Sequence, residues 1–101
     1  MQNVLYQYDK KKVRIEYEEI DEGIYIHCIR ALYPRKGKGT EVMKKFMEEH
    51  KAENIYLLAN TSMGTPIDVL IRWYAKLGFE THSVNHTIGK YEYNCFRGKD
   101  H

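Results

Sequence analysis

Cysteine and proline are both scarce in this chain, and each scarcity closes off a class of protein. The two cysteines, Cys28 and Cys95, form no CxxC pair and no Cys/His ligand spacing. That excludes a disulfide scaffold and a zinc module, and no metal is expected. Two prolines in 101 residues leave no Pro-rich linker, and no repeat or low-complexity tract is present. No apolar run approaches the roughly 18 residues that cross a bilayer, so membrane insertion is not expected. Nothing at the N-terminus resembles an apolar signal segment, so reduced thiols in the cytoplasm are expected.

An excess of charge of one sign is missing too. Sixteen basic against fourteen acidic residues leave a net charge of +2, too little for a general field that would gather nucleic acid. Any basic function must therefore be local. Lys10 to Lys12 form a basic run, but most of the nine tyrosines are scattered through apolar strands and are better explained as sheet packing, so a nucleic-acid partner is not expected. What is present is the composition of one soluble globular domain: 43% hydrophobic and 30% charged.

The periodicity changes several times along the chain. "VLYQYDKKKVRIEYEEI" places aromatic and β-branched residues around a charged centre, which predicts two strands with a hairpin tip at Asp9-Lys10 and their neighbours. Val13, Ile15, Tyr17 and Glu19 share one face of the second strand, with Arg14, Glu16 and Glu18 on the other. "IYIHCIRAL" follows as a nearly continuous apolar segment, the pattern of a central strand. Strict alternation puts Ile24, Ile26 and Cys28 on one side and Tyr25, His27 and Ile29 on the other. From Thr40 to about Ala52 the spacing of Val42, Phe46, Met47 and His50 predicts an amphipathic helix. "NIYLLAN" then reads as a buried strand parallel to the previous one, closing a right-handed βαβ unit. Pro66 in a first helical turn, Ile67, Leu70, Ile71, Tyr74 and Leu77 at helical spacing, and Gly78 as C-terminal cap predict a second helix. "FETHSVN" and "KYEYNCF", joined near "HTIG", predict a final antiparallel pair. The expected class is α/β with a mixed sheet (α+β), in the order β-β-β-α-β-α-β-β.

The point that carries chemistry is "PRKGKGT", where the central strand gives way to the first helix. A helix begins with unpaired N–H groups and a partial positive charge, a seat for an anion when the chain can approach it closely. Gly37 and Gly39 permit that approach; Arg35, Lys36 and Lys38 add cations, and Thr40 adds a hydroxyl. The arrangement suits a pyrophosphate. It has neither GxxxxGK[ST] nor GxGxxG followed by an acidic residue about 20 positions on, which counts against ATP and NAD sites.

Gly37-Lys38-Gly39 at this junction resembles the signature of the GNAT superfamily of N-acetyltransferases, which reads Arg or Gln, two residues, Gly, one residue, Gly or Ala. "LIRWYAKLGFE" is similar to the family's aromatic-Tyr-x-x-x-Gly-Phe segment through Tyr74, Gly78 and Phe79. The resemblance covers about residues 3 to 97. It implies acetyl-coenzyme A with its pyrophosphate at the amides of Gly37 to Thr40 and its pantetheine along Ile29, Arg30 and Ala31. The thioester would lie in a splay between the "IYIHCIR" and "NIYLLAN" strands, and Asn60, at the end of the second, is a further candidate for binding the cofactor. The resemblance also implies a short core lacking the family's usual first strand and two N-terminal helices, since only residues 1–36 precede Gly37. Pro34 stands where the family has Arg or Gln, and Ile67 where it usually has Asn. Very short members with such a layout include anti-CRISPR acetyltransferases that modify a lysine of a target protein.

Acetyl transfer needs a base, because an amine with a pKa near 10.4 is neutral in only about one molecule in a few thousand at pH 7. His27, projecting from the central strand, is the candidate, with Glu22 and Glu19 as rivals. Tyr74 takes, by resemblance, the role of acid toward the departing thiolate. A backbone N–H around Ile29 to Ala31 would meet the oxyanion. Trp73, Tyr56 and Phe46 are read as packing. The expected function is transfer of acetyl from acetyl-coenzyme A to a primary amine, on a protein lysine or N-terminus, by direct attack in a ternary complex. The alternative is a coenzyme A-binding or protein-interaction module without catalysis. An uncovered sheet also suits a homodimer.

Overall fold

The structure, a computed structural model, describes residues 4–10, 12–31, 38–60 and 66–99. Strands β1 (Leu5–Lys10), β2 (Val13–Ile20) and β3 (Gly23–Ala31) precede helix α1 (Lys38–Glu49) and strand β4 (Ile55–Leu57). Helix α2 (Ile67–Lys76) and strands β5 (Glu80–Ile88) and β6 (Tyr91–Arg97) complete the chain. The six strands form one mixed sheet in the order β1-β2-β3-β4-β6-β5, and β3 with β4 is its parallel pair. No described helix is long and apolar enough to cross a membrane.

The first hairpin is longer than its charged centre suggested. Pairing runs to Lys10↔Val13, so the tip lies beyond Asp9-Lys10, where Lys12 takes φ +65 and Asp9 accepts an ion pair from Arg14 at 2.9 Å. At the next turn Gly23 has φ +146, and any Cβ there would collide with the Asn54 carbonyl oxygen, which accepts the Ile24 N–H at 2.8 Å. Only glycine allows the start of β3 to lie so close to the start of β4.

Both helices lie on one face of the sheet. Val42, Met43, Phe46 and Met47 of α1 are buried against Val13, Ile15, Ile24, Ile26, Ile55 and Leu57, and Tyr74 of α2 joins the same cluster. Phe46 is fully enclosed, so truncating it to Ala would cost about 3–5 kcal/mol. Helix α1 begins two residues before Thr40 and ends before Ala52. Its last turn has no basic residue of its own; instead the buried Arg97 of β6 donates to the carbonyls of His50 and Glu53 at 3.1 and 3.2 Å.

Helix α2 ends as its sequence predicts. Gly78 takes φ +104, its N–H donates to the Ala75 carbonyl, and the Phe79 N–H donates to the Tyr74 carbonyl. This double bond pattern satisfies the last carbonyls and turns the chain into β5. The opposite face of the sheet carries a second cluster of Tyr25, Tyr56 and Ile88, with Ile20, Tyr91, Tyr93 and Phe96 against it. Among the described residues no helix covers that face.

The alternation along β3 is broken, and this bears on the site. Glu16 lies opposite Cys28 but Tyr17 lies opposite Ile26, so His27 is an extra residue with no counterpart in β2. Such a bulge shifts every later side chain to the other face. Ile29 therefore packs with the helix-side core, while Cys28 comes to the side of Tyr25 and His27, opposite Glu16. The alternation that sets Cys28 away from His27 does not hold.

Candidate active site

β3 and β4 pair over three residues only, Ile24↔Ile55 to Ile26↔Leu57. β3 then runs on to Ala31 with β2 alone, and β4 leaves the ladder. A buried carboxamide holds the departing strand: Asn94 of β6 accepts the Ala59 N–H at 2.8 Å and donates to the Ala59 carbonyl at 3.1 Å. One side chain thus replaces a ladder rung on the β6 side of the chain while the β3 side opens.

The opening is a cavity of about 270 Å³ at the N-terminus of α1. Its walls come from β3 (Ile26, His27, Cys28, Ile29), from the end of β4 (Leu58, Ala59, Asn60), from Gly39 and from Trp73 and Tyr74 of α2. Sites for whole small molecules run roughly from 300 to 1,000 Å³, so this one suits an inserted linear arm more than an enclosed nucleotide. The sequence-level candidates His27, Ile29, Gly39, Asn60 and Tyr74 all meet here.

At the mouth, Gly39 and Thr40 stand in the first turn of α1, where helical amides have no partner within the helix. Among the described residues no acceptor outside the helix takes their N–H groups. Among the described residues, a Cβ on Gly39 would find only Trp73 Cζ2, at 3.8 Å, within contact range. Packing against the described residues therefore does not require the glycine, and it lines the cavity. Trp73 Nε1 donates to Thr40 Oγ1 at 2.8 Å, which ties α2 to the start of α1 and leaves the Thr40 proton to donate. Trp73 is thus more than filler: it forms wall and clasp together. Lys38 opens α1 and Ala31 closes β3. Arg35, Lys36 and Gly37, three of the residues assigned to the phosphate seat, lie outside the described residues, as does Pro34. Arg30 is exposed, and its Nε donates to Cys28 Sγ at 3.3 Å.

Tyr74 is 7% exposed, and its hydroxyl has no hydrogen-bond partner among the described residues. Burial first, then the nearby Cys95 and Cys28, push its pKa well above the ordinary phenol range, so it stays protonated. The same burial raises the Cys95 thiol to about 11.

His27 reaches the cavity from the other face of the sheet. Its Nε2 lies 3.0 Å from Glu18 Oε1, which also accepts the Tyr91 hydroxyl at 2.6 Å. The rings of Tyr25 and Tyr91 stack at 4.5 Å, and His27 sits edge-on to both. Glu18, expected on a solvated face, is 4% exposed. Burial alone would raise its pKa, but the hydrogen bonds from Tyr91 and His27 outweigh it and hold the carboxyl below its ordinary value. Tyr91, bonded to that carboxylate and partly desolvated, is pushed up to about 12. The rival bases do not reach the cavity. Glu19 and Glu22 line a separate hollow with Ile88, Gly89, Lys90 and Tyr91 at the far turns of the sheet.

The fold resembles that of the anti-CRISPR protein AcrVA5. The crystal structure of that protein superposes with a TM-score of 0.65 at 17% sequence identity, covering 91% of this chain and 96% of the other. At that identity the likeness concerns the fold alone. No family model matches the sequence, and no curated protein matches it.

Sequence reasoning missed Glu18 and Asn94. A polar residue inside the apolar "YNCF" strand was the available signal for Asn94. Glu18 gave none, because its burial depends on tyrosines contributed by β3 and β6.

Proposed function

We propose that the chain is a small GNAT-like N-acetyltransferase that moves acetyl from acetyl-coenzyme A to a primary amine of a protein, a lysine or an N-terminus. A fold hosts many chemistries, and function lies in the site. The observation that carries it is the convergence of both sequence motifs, through Gly39 and Tyr74, on one cavity where two parallel strands splay at a helix N-terminus. The open space at Gly39 fits a phosphate-bearing donor.

In this reading the amides of Gly39 and Thr40, with the Thr40 hydroxyl, hold the pyrophosphate, and Ile29 and Asn60 flank the arm. The donor supplies the acetyl thioester. His27 takes a proton from the acceptor amine, whose nitrogen bonds the acetyl carbon as the carbon–sulfur bond breaks. An N–H on the unpaired edge of β3 between Ile29 and Ala31 faces the carbonyl oxygen. Tyr74 offers its hydroxyl to the departing sulfur.

A coenzyme A-binding module without catalysis is the second reading, favoured by Pro34 and Ile67 at positions where the family has Arg or Gln and Asn. Calorimetric titration with acetyl-coenzyme A followed by turnover on a lysine peptide separates the readings. Binding with release of free thiol supports the enzyme, binding without turnover supports the module, and a flat titration refutes both.

A further inference from the structure

We propose that Glu18 is a positioning residue for His27: a buried carboxylate that fixes the imidazole as its Nε2–H tautomer and leaves Nδ1 as the proton acceptor. The catalytic consequence rests on the acetyl-transfer reading, but the tautomer does not.

Glu18 cannot itself be the base. Its side chain is only 5% accessible, it is not part of the cavity wall, and its second oxygen is fully buried with no partner among the described residues. A carboxylate held so far from water costs several kcal/mol unless donors compensate it, and both donors here converge on the same oxygen. They are the Tyr91 hydroxyl and His27 Nε2. An ionised carboxylate only accepts, so the imidazole nitrogen facing it must carry the hydrogen. In the neutral ring the lone pair then sits on Nδ1, for which no hydrogen bond occurs among the described residues.

The surroundings leave the ring little freedom to choose otherwise. Tyr25 and Tyr91 hold it edge-on at 4.9 and 4.8 Å, and the Tyr25 hydroxyl is itself tied to the Glu92 carbonyl. The bulge leaves His27, a residue of the cavity wall, without a counterpart in β2, while Tyr25, two residues earlier, stays opposite Glu18. The sequence of events is then balanced. The amine N–H bond breaks as Nδ1–H forms, the existing Nε2–H bond to Glu18 becomes an ion pair between imidazolium and carboxylate, and Glu18 remains unprotonated.

The alternative role is structural only, a bridge between β2 and β6. Two-dimensional 1H–15N spectra of the ring nitrogens, at a pH where the imidazole is neutral, tell the two apart. Wild-type protein should show a single tautomer with Nε2 protonated, and a wild-type ring protonated on Nδ1 overturns the proposal even if no variant folds. Glu18→Gln should release the ring to a mixture of tautomers and lower kcat at least tenfold on the lysine peptide, with KM for acetyl-coenzyme A unchanged. A Glu18→Gln protein that keeps both the wild-type tautomer and the wild-type kcat also overturns it. If acetyl-coenzyme A does not bind at all, the enzyme reading fails while the tautomer result stands on its own.

Discussion

Adding one methyl group at Gly39 should move stability and cofactor binding in opposite directions. The residue lies in the first turn of α1, and a Cβ built there has one neighbour within 4 Å among the described residues, Trp73 Cζ2 at the ordinary contact distance of 3.8 Å. Nothing among the described residues opposes alanine, so Gly39→Ala should recover part of the helical entropy that glycine forfeits, about 0.5 kcal/mol. In a domain of this size that is a rise of about 2–4 °C in Tm, readable by differential scanning fluorimetry. The same methyl occupies the approach to the amides of Gly39 and Thr40. Acetyl-coenzyme A should then bind at least tenfold more weakly, about 1.4 kcal/mol, by calorimetry. Gly39→Val should bind more weakly still. Wild-type affinity in Gly39→Ala would refute the phosphate-seat reasoning. A fall in Tm would refute it differently, by showing that the fold itself requires the glycine.

Three further outcomes follow from the geometry. Asn94→Ala leaves the buried N–H and carbonyl of Ala59 without partners and should cost about 2–4 kcal/mol in denaturant unfolding, with loss of cofactor affinity as the end of β4 loosens; a cost under 0.5 kcal/mol would contradict its role as a rung. Tyr74→Phe should keep the fold and acetyl-coenzyme A affinity but slow thiol release at least tenfold at saturating acceptor, and unchanged turnover would move the acid elsewhere. Because Glu18 has a pKa below its ordinary 4.5 in the folded chain, its ionised form favours the native state. That contribution is complete above the unfolded value and fades as pH falls through the folded one. Wild-type protein should therefore lose stability from about pH 5 downward more steeply than Glu18→Gln, and parallel curves would contradict the assignment.

The periodic parts of the fold were legible because each is a local consequence of side-chain spacing. Helix α2 shows this best: Leu70, Ile71, Tyr74 and Leu77 face the core and Gly78 takes φ +104 as the pattern puts them, although Pro66 caps the helix from just outside its first turn and Ile67 is left exposed. The strand pairs were legible for the same reason. What could not be read depends on partners distant in sequence. The bulge at His27 is a property of how β3 registers on β2, so strict alternation placed Cys28 and Ile29 on the wrong faces. Glu18 looks like any solvated acid in "EYEEI", yet Tyr91, far along the chain, closes over it. Arg97 reads as the end of a strand but serves the last turn of α1. Of the residues that line the cavity, Gly39, Ile29, Asn60, Tyr74 and His27 were named from motif and chemistry, whereas the polar groups beside it, Asn94 and Glu18, were not.

The central claim is that the splay between β3 and β4 receives acetyl-coenzyme A, and amide-resolved NMR during titration with that compound tests it most directly. The account predicts saturable shifts at Gly39, Thr40, Ile29, Leu58 and Tyr74, with the hollow around Glu22 and Lys90 unchanged. Shifts confined to that hollow, or none at all at millimolar acetyl-coenzyme A, would contradict it.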